Sequence, residues 1–202
     1  IGILLALFRG WNEQVGGFVE KVPADLWVAS DGTTDFLAAA SALPDAAGSQ
    51  LKLVPEIDVV SPLIVRPMEL YKSGEDQQDT FYIQMVAYNP VIGLGGPIKV
   101  EAGKSPPGAG DIVIDEETSK RHNVQIGDRL VRGTKSLAVV GISSGGDFIY
   151  TQVAFVTIDT AVDFLNLEPK TLRTFFAVTL TDPSERDEVA RRLELVSPVS
   201  ST

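Results

Sequence analysis

The stretch from Asn89 to Gly110 limits the folds open to this chain more than any other. Asn89-Pro90, Gly93, Gly95-Gly96-Pro97, Gly103 and Ser105-Pro106-Pro107-Gly108-Ala109-Gly110 place a breaker every few residues. Proline fixes φ and removes a donor, and glycine has the most backbone entropy to lose, so no long regular element is expected here. The stretch sets a boundary near residue 91 between two differently patterned sections.

The first section alternates strand and helix signals. Ala24 to Ala29 is a short apolar run closed by Ser30-Asp31-Gly32, which predicts a buried strand and a turn. Thr33/Thr34 ahead of Phe36-Leu37-Ala38 read as the cap of one helix, and Pro44-Asp45 as the start of a second running to about Val54. Asp58 to Tyr71 is rich in β-branched residues but carries Pro62 and Pro67, which predicts an edge or bulged strand. After a polar turn, Thr80 to Tyr88 returns as a strong strand and closes a hairpin. Such mixed, unrepeated elements are an α+β signature.

Beyond the boundary, short strands are expected at Asp111–Asp115, Arg129–Arg132, Ser136–Ile142 and Gln152–Ile158. Helices are expected at Glu116–Asn123 and, capped by Asp159, at Asp159–Leu167. The chain then predicts a strand at Arg173–Thr181 and a helix from Asp182-Pro183-Ser184-Glu185 to about Leu195. Aromatic residues Trp27, Phe36, Phe155 and Phe164 all fall on predicted elements and are assigned to the core.

Charge and residue usage remove several classes of function. A net charge of −10 with no local Lys/Arg cluster repels phosphate backbones, which argues against nucleic-acid partners. With no cysteine, disulfides, thiolate nucleophiles and Cys-zinc sites are excluded together. The apolar start Ile1 to Phe8 is too short to span a bilayer, which takes about 20 residues. It reads as the last turns of a membrane helix, the start of a buried helix or the tail of a signal-peptide core, with Trp11 suited to the interfacial belt.

Several motifs suggest chemistry, and each fails a spacing test. Gly141-Ile142-Ser143-Ser144-Gly145 has the nucleophile-elbow pattern, but Gly145-Gly146-Asp147 leads toward a turn and strand instead of a helix. The only histidine, His122, also precedes Ser143, whereas the base of that triad follows its serine. Gly103-Lys104-Ser105 has the ending of a phosphate loop, yet Ile98 stands where its first glycine belongs and Pro106-Pro107 cannot start the required helix. Gly93-x-Gly95 lacks the third glycine of a dinucleotide fingerprint. Asp111, Asp115, Glu116 and Glu117, and the smaller Asp31/Asp35 pair, lack the alternating ligand spacing of a calcium loop and read as solvated strand and helix ends. No catalytic, cofactor-binding or metal-ligating residue is therefore assigned, and no cofactor is expected.

A series of short segments runs in order along the chain: Ile1–Phe8 with Gly10, Ala24-Asp25-Leu26-Trp27-Val28, Val54-Pro55-Glu56-Ile57-Asp58-Val59-Val60-Ser61-Pro62 and Val86-Ala87-Tyr88-Asn89-Pro90. Gly110–Asp115, Val124–Leu130 and Ala138–Ile142 complete it. Taken together, the series resembles the extracytoplasmic domain of FtsX-like/MacB-type ABC transporter permeases. Pro55-Glu56-Ile57 departs from the Pro-Gly-Val frequent in that family. The resemblance implies a porter-like α+β subdomain built from residues 24–91 and 168–197, with a small β-rich, Sabre-like subdomain inserted at 92–167. Residues 1–23 would then be the end of the first membrane helix or a juxtamembrane helix, and 198–202 a linker toward the second. It further implies mechanotransmission without catalysis, on the outer side of the cytoplasmic membrane; the alternatives are a free-standing exported ligand- or lipoprotein-binding module and, less favoured, a serine hydrolase acting through Ser143. In the permease reading the partners would be a cytoplasmic ATPase, a second permease copy and an extracytoplasmic adaptor or lipoprotein. Partner surfaces are expected at 92–110 and at the Gly145–Tyr150 loop.

Overall fold

The computed structural model describes residues 6–7, 16–30, 33, 41–74, 80–146, 152–168 and 173–196. The helix expected after Thr33/Thr34, with Asp31, Asp35 and Phe36, lies outside them. So do Trp11, residues 147–150 of the expected partner loop, the tail 198–202 and most of the apolar start.

The β-branched run that the sequence marks out forms one long strand, β3 (Ile57–Lys72), and the rest of the fold is arranged around it. Its first half pairs antiparallel with β10 (Phe175–Leu180), which pairs with β2 (Leu26–Ala29), and β2 with the short β1 (Ala6–Leu7). Ala6 and Leu7 thus extend a sheet instead of continuing a helix, and α1 (Gly16–Lys21) starts only at the two glycines. From Ile64 onward the partner of β3 is β4 (Phe81–Tyr88), the predicted hairpin.

The second half of β3 closes a ring of six strands. β4 runs parallel to β9 (Val153–Thr157), β9 antiparallel to β6 (Asp111–Asp115), and β6 parallel to β8 (Lys135–Ser144). β8 pairs with β7 (Arg129–Arg132), and β7 returns to Tyr71 and Lys72 of β3. One further strand, β5 (Lys99–Gly103), hangs on the outer end of β8. The breaker-rich stretch therefore contains a strand that the sequence reading did not anticipate.

β3 is shared between the two sheets and carries the bulge that fits the sequence expectation: Val59 and Ile57 pair with the consecutive residues Thr179 and Leu180 of β10, leaving Asp58 unmatched. Pro62 is paired with β10 and Pro67 with β4, each at a point where β3 has a strand along one side only. A missing N–H is tolerated where no second ladder asks for it.

Three apolar clusters follow from the alternation of side chains along these strands. Inward residues of the ring, among them Ile64, Met68, Leu70, Ile83, Met85, Ile112, Val139 and Ala154, form one. A second lies between the outer sheet and its helices: Val28, Val60, Phe176 and Val178 meet Ala47 and Leu51 of α2 (Asp45–Leu51) and Val189, Ala190 and Leu193 of α5 (Arg186–Val196). Gly48 lets α2 sit close, because a Cβ there would come 2.6 Å from the Phe176 ring. The third cluster joins the two sheets: Trp27, Leu63, Phe175 and Ala177 of one pack with Val86, Val113, Val153 and Phe155 of the other around Phe18 of α1. Phe18 lies 6.5 Å from Trp27 and 5.9 Å from Phe155, ring centre to ring centre. The fold is α+β, as the element pattern predicts.

Helix caps come from the expected residue types with one shift. Asp115 caps α3 (Glu116–Arg121) by accepting the Thr118 N–H at 2.7 Å. α4 (Ile158–Phe164) is capped by Thr157, two residues earlier than the predicted Asp159. Asp159 instead occupies the first turn, where the positive end of the helix dipole favours a carboxylate. Asp182 accepts the Ser184 N–H at 2.9 Å and opens a 3-10 turn, Pro183–Glu185, that leads into α5.

Candidate functional site

The motifs set aside in the sequence are built into the scaffold. Ser143 lies on β8, paired with Val100 on one side and Asp115 on the other, and is almost wholly buried. Its hydroxyl donates to the Ile114 carbonyl at 3.3 Å. His122 ends α3, stacks on Phe81 at 4.2 Å between ring centres, and bonds through Nε2 to the Gln152 side chain. Asp111 accepts the Gly108 N–H at 3.0 Å, while Glu116 and Glu117 pair with Lys120 and Arg121 at the spacing of one helical turn. Among the described residues no group of three His, Asp or Glu side chains is placed to hold a metal ion. Trp27, Phe155 and Phe164 are core residues.

The arrangement with the clearest mechanical content is the point where β3 changes partners. Thr174, the residue before β10, donates its N–H to the Leu63 carbonyl at 2.8 Å, the last backbone bond of that ladder. One step further the Thr174 hydroxyl takes over: it accepts the Val65 N–H at 3.0 Å and lies 3.3 Å from the Val65 carbonyl. Leu63, Val65 and Thr174 are all fully buried. Arg66 covers the junction, with Nη1 3.3 Å from the Val65 carbonyl and 3.5 Å from the Thr174 hydroxyl. Burial pulls the Arg66 guanidinium below the usual arginine value.

Ion pairs tie the helices to the same outer sheet. Arg173 Nε meets Asp45 of α2 at 2.9 Å, beside the bridge between Leu43 and Arg173. Arg192 of α5 meets Glu56, in the turn before β3, at 2.7 Å, and its hydrogen bond holds the Glu56 carboxyl below the usual range. Tyr88, where β4 ends, is pushed up by burial against the opposing effect of a hydrogen bond with Ser105.

The exposed apolar side chains gather in part along β5. All five residues of β5 are exposed. Ile98, Val100 and Ile126 keep 37%, 39% and 44% of their surface in solvent. Glu101 bonds both Lys99 and the Ser144 hydroxyl, and is held below the usual carboxylate range first by Lys99 and then by Ser144. Clefts among the described residues are shallow and mixed in character: one of about 330 Å³ is bordered by Lys135, Asp159 and Asp163, and one of about 290 Å³ by Glu69 and Arg132.

Two β layers welded through one strand, with helices on the outer face and a fringe of exposed strand, define an α+β domain. The chain belongs to the MacB-like periplasmic core domain family, whose model matches residues 2–196. It is thus an extracytoplasmic domain of a MacB/FtsX-like ABC transporter permease. The fold is similar to the periplasmic region of MacB from Actinobacillus actinomycetemcomitans, with a TM-score of 0.61 and 14% identity over 87% of this chain and 83% of that one. It is also similar to the extracellular domain of the noncanonic ABC-type transporter YknZ from Gram-positive bacteria, with a TM-score of 0.58 and 13% identity over 75% of this chain and 82% of that one. No curated protein matches the sequence. Among the described residues no helix is long and apolar enough to cross a membrane.

The sequence reading did not find Thr174 or Arg66. Neither residue belongs to a motif, and only the two prolines bracketing Leu63 to Arg66 hinted that β3 is unusual there.

Proposed function

We propose that this domain relays ATP-driven movement outside the membrane and carries out no bond chemistry of its own. ATP would be bound and hydrolysed by a cognate cytoplasmic ATPase, and the membrane helices would pass the motion outward to two copies of this domain. The observation that carries the reading is the buried cluster around Phe18, Trp27 and Phe155, which packs both sheets into one body on either side of β3. A body without a soft internal boundary transmits displacement instead of absorbing it.

Within that reading, residues 24–91 and 168–197 are the porter-like unit and 92–167 the inserted unit, with 1–23 and 198–202 leading to the membrane. The partner surface is assigned to the exposed fringe of β5 with Ile98, Val100 and Ile126, where an adaptor or lipoprotein would bury apolar area. The test is complementation of permease-null cells with Val100→Glu and Ile126→Glu together. The expected result is loss of complementation with ATP hydrolysis by the assembled transporter and melting of the isolated domain both unchanged. Full complementation would remove the β5 surface from the reading.

A further inference from the structure

From the junction of β3 we infer that Thr174 is a positioning residue: its hydroxyl continues the β10 ladder by one rung and latches the two sheets together. Backbone pairing of β10 with β3 ends at Leu63, and β7 joins the same side only at Tyr71. Between those points β3 is held on that side by a side chain. The Thr174 hydroxyl is suited to it, since one oxygen both accepts the Val65 N–H and donates toward the Val65 carbonyl, as a backbone peptide would. Val65 is fully buried, so no water can replace the hydroxyl.

The position of the rung gives it its consequence. Val65 is the second residue of β3 to face β4, and its side chain lies in the cluster that joins both sheets. Freeing its N–H loosens β3 where the strand passes from one sheet to the other. Apolar packing around Phe18 is non-directional and the β4 ladder holds only the opposite side of β3, so on the β10 side the directional contact at Val65 is the hydrogen bond to Thr174. The latch is a property of the fold whether or not the domain relays motion, so its failure would leave the functional reading standing.

Residue-resolved amide hydrogen exchange on the chain, comparing wild type with Thr174→Val and Thr174→Ser, tests the assignment. Thr174→Val keeps the shape and removes the hydroxyl; Thr174→Ser keeps the hydroxyl. Val65 is expected to exchange at least about tenfold faster in Thr174→Val, with the inner amides of β8 and β9 changing by less than about threefold, because the opening is local. Thr174→Ser is expected to restore wild-type protection at Val65. Unchanged protection in Thr174→Val, or equal acceleration of every slow amide, overturns the latch. Should Thr174→Val not fold, the wild-type data decide: Val65 must fall in the slowest-exchanging class, and ready exchange there overturns the assignment.

Discussion

Replacing Asp115 by alanine gives a sharp test of how the ring of strands is closed. Asp115 is 4% exposed and its two carboxylate oxygens serve two elements. Oδ1 caps α3 through the Thr118 N–H at 2.7 Å, and Oδ2 accepts the Val153 N–H at 2.8 Å, where β9 begins. Loss of a cap costs about 1 kcal/mol. Leaving the buried Val153 N–H unmatched adds about 1–3 kcal/mol. The sum for Asp115→Ala is about 2–4 kcal/mol, which for a chain of this size lowers the melting temperature by roughly 5–15 °C. Asp115→Asn keeps one acceptor and is expected to fall between alanine and wild type. Thermal unfolding followed by circular dichroism measures both. A drop below about 2 °C in Asp115→Ala would refute the claim that this carboxylate ties α3 to β9.

Two further substitutions probe packing and charge. Gly48→Ala sets a methyl against the Phe176 ring and is expected to destabilise by about 1–3 kcal/mol in denaturant unfolding; a neutral or stabilising change would show that α2 can lift without loss. Acid sensitivity follows from carboxylates held below their ordinary values, Glu56 by Arg192 and Asp128 by the Gln125 N–H and then Lys72. Their lowered values mean that the stabilisation is complete above the unfolded carboxylate value of about 4 and is lost as pH falls through the folded values. The Glu56→Gln, Asp128→Asn double variant should therefore lose less stability than wild type on acidification, and an identical loss would contradict the assignment.

The local chemistry of the chain was legible wherever it acts within a few residues. The start of α5 at Asp182, the hairpin of β3 and β4, and the core placement of Trp27, Phe155 and Phe164 follow from neighbouring residues alone, whereas Asp115, expected at a solvated end, is buried and caps α3. β5 was missed because its five residues are all exposed and stand among glycines and prolines, so no alternation marks it. The expected cap of α4 falls two residues too far along because both Thr157 and Asp159 are good capping residues, and only the end of β9 chooses between them. The double role of β3 was hidden for a different reason. Prolines forbid pairing along one side of a strand at a time, and which side is free depends on β10 and β4, far apart in sequence. Thr174 belongs to the same class, since its partner Val65 is fixed only by the finished sheet.

The most direct test of the relay is a set of spin-label distances in the full-length permease assembled with its ATPase, with and without bound ATP. Labels at Tyr82 in both copies report movement between domains; labels at Leu53 and Tyr82 of one copy span the two sheets at exposed positions. The account predicts that the distance between copies changes with nucleotide while the distance within one copy stays fixed, as rigid bodies require. A constant distance between copies, or a nucleotide-dependent change within one copy, would contradict it.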